Sequence, residues 1–187
     1  MINEAAAALA SEIVDITFAT QEKQVTRDAV NHSLSNANIW SLDSRWIVYD
    51  APVDPSAFSA TEVSRINVES GEADLLFQSR DGACCGVASY NPRREEVVFI
   101  LGPDHPSPDW TYAFTRRRGV IVKSSKLKSF QPLDAMNYAP PFASGALRGG
   151  SHVHMFSGDG KWVVGEFHLR RRNAGPPDQR CGRAEPA

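Results

Sequence analysis

The sequence predicts an all-β protein made of small antiparallel sheets repeated along the chain. Three observations predict it. Helical periodicity is nearly absent beyond about residue 20. In its place stand many short runs rich in β-branched and aromatic residues, separated by Gly, Pro, Asp, Asn and Ser. One segment also recurs. Trp40-Ser41-Leu42-Asp43-Ser44-Arg45-Trp46-Ile47-Val48 and Phe156-Ser157-Gly158-Asp159-Gly160-Lys161-Trp162-Val163-Val164 share an aromatic, Ser, Asp, a small residue, a base, Trp and two β-branched residues in one order, 116 positions apart.

A weaker copy lies between them. Aligning Val97-Val98-Phe99 with Ile47-Val48-Tyr49 places it 50 residues after the first copy and 66 before the last. Each copy reads as a strand, a tight turn and a second, apolar strand. Such a hairpin cannot bury both faces alone. Four-stranded sheets stacked around an axis can, which is the β-propeller solution.

In order, the first unit takes the runs 37–41, 46–50, 63–68 and 74–77, with Glu69-Ser70-Gly71-Glu72 as its last turn. The second takes 86–90, 96–101, 110–114 and 119–122. Residues 123–148, rich in Ser, Pro, Ala and Gly, read as a long loop. The third unit starts with 152–156 and 161–167 and then stops. The expected architecture is therefore a partial β-propeller of about two and a half blades, truncated before the ring closes. Residues 1–23 form an N-terminal extension with a short helix near 4–13, and 24–167 the incomplete propeller. Residues 168–187 form a tail biased to Arg, Pro, Gly and Ala, read as disordered or out of frame. Uncovered blade faces are expected to make such a chain aggregate or assemble.

Composition narrows function by exclusion. Of 187 residues, 42% are apolar and 22% charged, and the formal net charge of -2 argues against nucleic acid as a partner. The clusters Arg93-Arg94, Arg116-Arg117-Arg118 and Arg170-Arg171-Arg172 read as solvated surface. No apolar run is long enough to span a membrane, and the run 5–10 lacks the basic flank of a signal peptide, so the expected compartment is the cytoplasm. Cys84 and Cys85 are adjacent and expected to stay unbridged, and Cys181 lies in the tail. Ser151 lacks the context of a nucleophile elbow, and Arg148-Gly149-Gly150 is not followed by the Lys and Ser or Thr of a phosphate loop. Asp104, Asp109 and Asp134 read as turn formers.

The candidate site is the lining of the central channel. His152 and His154 alternate along one strand and should share a face. The 116-residue offset maps them onto Asn36 and Asn38, and Arg148 precedes them in a glycine-rich entry loop. Neutral imidazole is the commonest metal ligand, so His152 and His154 are also candidates to hold a divalent metal. Hydrogen bonding to neighbouring sheets or channel water is the simpler role.

Several local strings add a family resemblance. They are Asn31-His32-x-Leu34-x-Asn36-x-Asn38-x-Trp40, Gly102-Pro103 followed by Trp110-x-Tyr112, Arg117-Arg118-Gly119-Val120-Ile121-Val122, Leu133-Asp134-Ala135-Met136, and Ala146-Leu147-Arg148-Gly149-Gly150-Ser151-His152-Val153-His154. In this order they resemble the YidR-like family of bacterial TolB-type, six-bladed propeller proteins, over residues 24–167. The chain departs from that family in three ways. Leu42 and Gly158 stand where Pro is usual, Cys84 stands where His is usual, and family members are longer. The resemblance implies a TolB-like propeller. Oligogalacturonate lyases, related by fold, hold a channel metal with histidines. Two functions follow as expectations. The first is a non-catalytic binding or scaffold protein for an unidentified small molecule, glycan or protein. The second is a metal-assisted carbohydrate-active enzyme.

Overall fold

A computed structural model of the protein describes residues 22–124, 129–133, 141, 144 and 149–167. The expected N-terminal helix, the tail, Arg148, Asp134, the third arginine cluster and most of the segment 125–148 lie outside the described residues. Within them the chain is all-β, without an α-helix and with one 3-10 turn at Phe114–Arg116. No helix among the described residues is long and apolar enough to cross a membrane.

Three antiparallel sheets follow one another. The first contains β1 (Trp46–Asp50), β2 (Glu62–Asn67) and β3 (Ala73–Gln78) in that order. The second contains β4 (Cys85–Tyr90), β5 (Glu96–Leu101), β6 (Arg118–Lys123) and β7 (Phe130–Pro132). The third is the hairpin of β8 (Ser151–Phe156) and β9 (Val163–Phe167). Such open sheets of two to four strands are consistent with part of a propeller.

The turns explain the recurring sequence. In the first, Ser41 Oγ donates to Asp43 Oδ1 at 2.6 Å, and the same carboxylate oxygen accepts from the Arg45 N–H. The Trp46 N–H then donates to Ser41 Oγ. Ser157, Asp159, Lys161 and Trp162 repeat each bond. The small residue after Asp is required by the backbone, since Ser44 and Gly160 both have positive φ (57° and 69°). The three hairpins also share one register. Trp40 faces Ile47, Tyr90 faces Val97 and Phe156 faces Val163, at spacings of 50 and 66 residues.

Two expected strands are corrected. The run 37–41 is no continuous strand. Ser33 pairs with Asp50 and Trp40 with Ile47, and between them the chain leaves the ladder, with Asn38 at φ 56°. Asn tolerates that conformation better than most residues, which is why the break falls there. The run 110–114 is a loop. Pro103, Pro106 and Pro108 remove N–H donors and restrict their predecessors, and Arg116 stacks over the Trp110 ring at 4.2 Å. Arg118–Lys123 therefore takes the third place in its sheet, pairing from Leu101↔Arg118 to Glu96↔Lys123. The fourth strand, Phe130–Pro132, falls inside the segment read as loop. It is anchored by Phe130, whose ring meets Phe77 edge-on at 5.7 Å.

The first two sheets bury their facing surfaces against each other. Val48, Val63, Leu76 and Phe77 pack on Tyr90, Val97, Phe99, Leu101 and Val120. Phe77 and Phe99 lie 4.9 Å apart. Burial of each such side chain contributes about 1.5–3 kcal/mol. The second and third sheets are clasped at their turns. Asn91 Nδ2 and Arg94 Nη2 both donate to the Gly160 carbonyl, at 3.1 and 2.6 Å, and Arg93 Nε donates to the Gly158 carbonyl.

Of the arginines read as solvated surface, Arg93 and Arg94 are exposed but clasp the next turn, while Arg117 and Arg118 are drawn into the structure. Arg117 is buried with its Nη1 3.3 Å from Tyr112 Oη, and Arg118 pairs with Asp104. Among the cysteines, Cys85 is free and buried, whereas Cys84 is disulfide-bonded, against the expectation of two unbridged thiols.

Trp46 and Trp162 hold equivalent turn positions but unequal surroundings. Trp46 packs against the core under the Arg65 guanidinium, 4.1 Å from its ring, and Arg65 also binds Asp74 through Nε and Nη2. Trp162 is 73% exposed, so burial between sheets does not extend to it. Trp46→Ala should cost about 3 kcal/mol of unfolding free energy in urea titrations. Trp162→Ala should stay within about 0.5 kcal/mol of the parent. Equal losses would show that Trp162 is covered in solution.

Candidate functional site

The inner strands meet through matched irregularities. The β4–β5 register slips between Gly86 and Ser89, and the β8–β9 register slips between His152 and Met155. Each slip is a β-bulge, and each holds a valine in the left-handed region, Val87 at φ 59° and Val153 at φ 52°. A β-branched residue there is a genuine outlier, which the surroundings must enforce.

Asn36 joins the two bulges to the 33–40 segment. Its Nδ2 donates to the His154 carbonyl at 3.2 Å and lies 3.5 Å from the Val87 carbonyl. Asn38 contributes its backbone, its carbonyl accepting from the Tyr90 N–H at 2.7 Å, while the residue itself is exposed. The offset of 116 therefore needs correction in this stretch. By cross-strand pairing, His152 corresponds to Gly86 and to Ser33, not to Asn36, because seven residues separate Ser33 from Trp40 where four separate Gly86 from Tyr90.

Sequence reading missed Asp50. The last residue of β1, it is 5% exposed and crosses to the second sheet, where Oδ1 accepts from the Val87 N–H at 3.1 Å and the Ala88 N–H also bonds to the carboxylate. Gly86 makes the approach possible: a Cβ there would lie 2.7 Å from Asp50 Oδ2. Burial raises the Asp50 pKa to about 6 and outweighs the N–H bonds that lower it. The one signal in the sequence is a carboxylate closing an otherwise apolar strand, where β5 closes with apolar residues.

The two histidines do not share an environment, because the bulge at Val153 intervenes. His152 is partly exposed, with Nδ1 3.9 Å from Glu166 Oε2 on β9. His154 is 4% exposed, and its Nε2 lies 3.0 Å from Ser151 Oγ. Its ring is slotted between two glycines, since a Cβ on Gly119 would lie 2.6 Å from Nε2 and one on Gly165 2.9 Å from Cδ2. Its Nδ1 is buried without a hydrogen-bond partner. Burial first, then the positive charges of His152 and Arg117, lower the His154 pKa to about 4, so the ring is neutral at pH 7. Beside it opens a small pocket lined by Leu133, Ser151, His154, Val163, Gly165 and Phe167. Among the described residues, no group of three or more His, Cys, Asp or Glu side chains is placed to hold a metal ion.

Comparison with known proteins adds two findings. Residues 84–175 match the family described as "Protein of unknown function (DUF3748)". Over 141 residues, 75% of this chain, the sequence is 42% identical to "Uncharacterized protein YidR" of Escherichia coli (strain K12). The chain spans about one third of that relative, 33% of its length.

Two outcomes follow from the site's packing and charge. Gly119→Ala should destabilise the fold by about 1–3 kcal/mol through overpacking against the imidazole and against Leu133 Cδ1, each 2.6 Å from the added Cβ. In a His154→Ala background the same change should cost less, with the Leu133 contact remaining. A double-mutant cycle by urea unfolding checks this, and additive losses would refute the contact.

The pH dependence has two opposing parts. Asp50 has a raised pKa, so its contribution is greatest below 3.8 and declines as pH rises to about 6. His154 has a depressed pKa, so its contribution is complete above 6.5 and is lost as pH falls toward about 4. Relative to the parent, Asp50→Asn should make stability rise more steeply between pH 4 and 6, and His154→Gln should flatten or reverse that rise. Unfolding titrations across this range read the slopes directly.

Proposed function

We propose, from the YidR-like family that the 42% identity and the DUF3748 match support for this chain, that it forms consecutive blades of a TolB-type β-propeller. Its role is that of a non-catalytic binding or scaffold module, with the ligand met where the inner strands converge.

One observation carries this reading: the two buried titratable groups at the convergence, Asp50 and His154, are already used by the fold. The Asp50 carboxylate caps the β4 bulge. His154 is enclosed between Gly119 and Gly165, and burial holds it neutral with a pKa of about 4. A general base needs access to its substrate and a pKa near the working pH, and His154 has neither. Among the described residues, the accessible polar surface at the convergence includes partly exposed His152, exposed Asn38 and Glu166, and backbone groups around the bulges. That surface suits recognition. The shared hairpin register supports the propeller itself, since similar hairpins joined by matched turns can stack with a repeated rotation.

Metal analysis and a lyase assay on the purified protein test the proposal. After dialysis, no stoichiometric divalent metal should stay bound. Oligogalacturonate with added divalent cations should yield no unsaturated uronate. A stoichiometric metal lost on His152→Ala, together with unsaturated product, would overturn the reading in favour of a metal-assisted carbohydrate-active enzyme.

A further inference from the structure

We propose that the bulge of β8 is a binding site for a ligand carboxylate, received by the N–H groups of Val153 and His154. The inference rests on the binding reading above and names the ligand chemistry for it.

The molecule contains its own precedent. On β4, residues 87 and 88 leave the ladder, Val87 takes a left-handed φ, and the two N–H groups converge on the carboxylate of Asp50. Successive N–H groups in such a turn form a concave anion site. On β8, residues 153 and 154 leave the ladder at the corresponding register, and Val153 takes nearly the same φ. Among the described residues, no carboxylate takes the corresponding place. Asp50 faces Ser33 at the end of β1 as Ile100 faces Gly86 at the end of β5, so the place of Asp50 is taken by an isoleucine, which has no acceptor.

No side-chain acceptor among the described residues bonds to the Val153 or His154 N–H. Asn36 meets the His154 carbonyl instead, and Ser151 meets the His154 ring. The glycine that makes room for Asp50 on β4 is also exchanged. His152 occupies the register of Gly86 and places an imidazole beside the bulge. Val153 is 37% exposed, so the bulge borders solvent, whereas the β4 bulge is closed by buried Asp50.

Two charged groups act on the site from neighbouring elements. Arg117 is close enough for its charge to act on His154 and favours an anion. Glu166 on β9, 3.9 Å from His152, limits the charge that the site tolerates. A singly charged carboxylate therefore fits. Two N–H donors can bind it, as those of Val87 and Ala88 bind the Asp50 carboxylate on β4.

Amide NMR of the nitrogen-15-labelled protein tests this at constant ionic strength, with acetate as the probe and acetamide as its uncharged isostere. Acetate should shift the Val153 and His154 amide signals saturably and leave Val87 in place. Acetamide should move neither. In Asp50→Ala the emptied β4 bulge is a control, where the Val87 amide should also respond to acetate; in Asp50→Asn, whose side-chain oxygen still accepts from the Val87 N–H, it should not. An unmoved Val153 and His154 pair would overturn the proposal. Equal shifts with acetate and acetamide would overturn the carboxylate assignment and leave the binding reading standing.

Discussion

Burial on both sides of β5 is the constraint on which the other features depend. Val97, Val98, Phe99, Ile100 and Leu101 are each no more than 1% exposed, although alternate residues point to opposite faces. One face of the second sheet is therefore closed by the first sheet. The other is closed by Tyr112 and Cys84 around Ile100 and by the third sheet beside β8. A sheet covered on both sides needs neighbours at close, fixed distances, because interiors pack at crystal-like density. The turn clasps, the bulges and the glycines at close approaches all follow from holding three sheets at that spacing.

The clasps lie where the sheets would otherwise splay. Carbonyl groups at a tight turn have no ladder partner, and the Gly158 and Gly160 carbonyls receive theirs from Arg93, Arg94 and Asn91 of the preceding sheet. A hydrogen bond from a charged donor is stronger than a neutral one, so two arginines at one turn fix the angle between sheets. At the inner edge the bulges do comparable work. They turn N–H groups out of the ladder, and Asp50 and Asn36 meet the exposed backbone groups from a different part of the chain.

The same geometry sets the chemistry at the convergence. A carboxylate and an imidazole that serve as packing pieces are drawn toward their neutral forms by burial, Asp50 upward and His154 downward in pKa. Both side chains are also closed to solvent, Asp50 at 5% and His154 at 4% exposed. What the inner edge offers instead is a set of oriented backbone dipoles beside one partly exposed histidine.

The sequence by itself determined the all-β class, the positions of most strands and the recurrence of the hairpin. These are local properties. Alternation and β-branched runs specified Trp46–Asp50 and Glu96–Leu101 to the residue, and the Ser-x-Asp turn closes through bonds within six consecutive residues. Only the tertiary structure decided which runs became strands in the 102–132 stretch. There, Trp110 bridges back to Ser107 and lies under Arg116, outside the sheet, while Phe130 finds an aromatic partner in Phe77, more than fifty residues earlier. It also decided the bulges, the burial of Arg117 and the role of Asp50. Whether a carboxylate at a strand end faces water or caps a neighbouring sheet depends on what the fold brings opposite it. For Asp50 that was a glycine 36 residues further along the chain, whose missing side chain left the space.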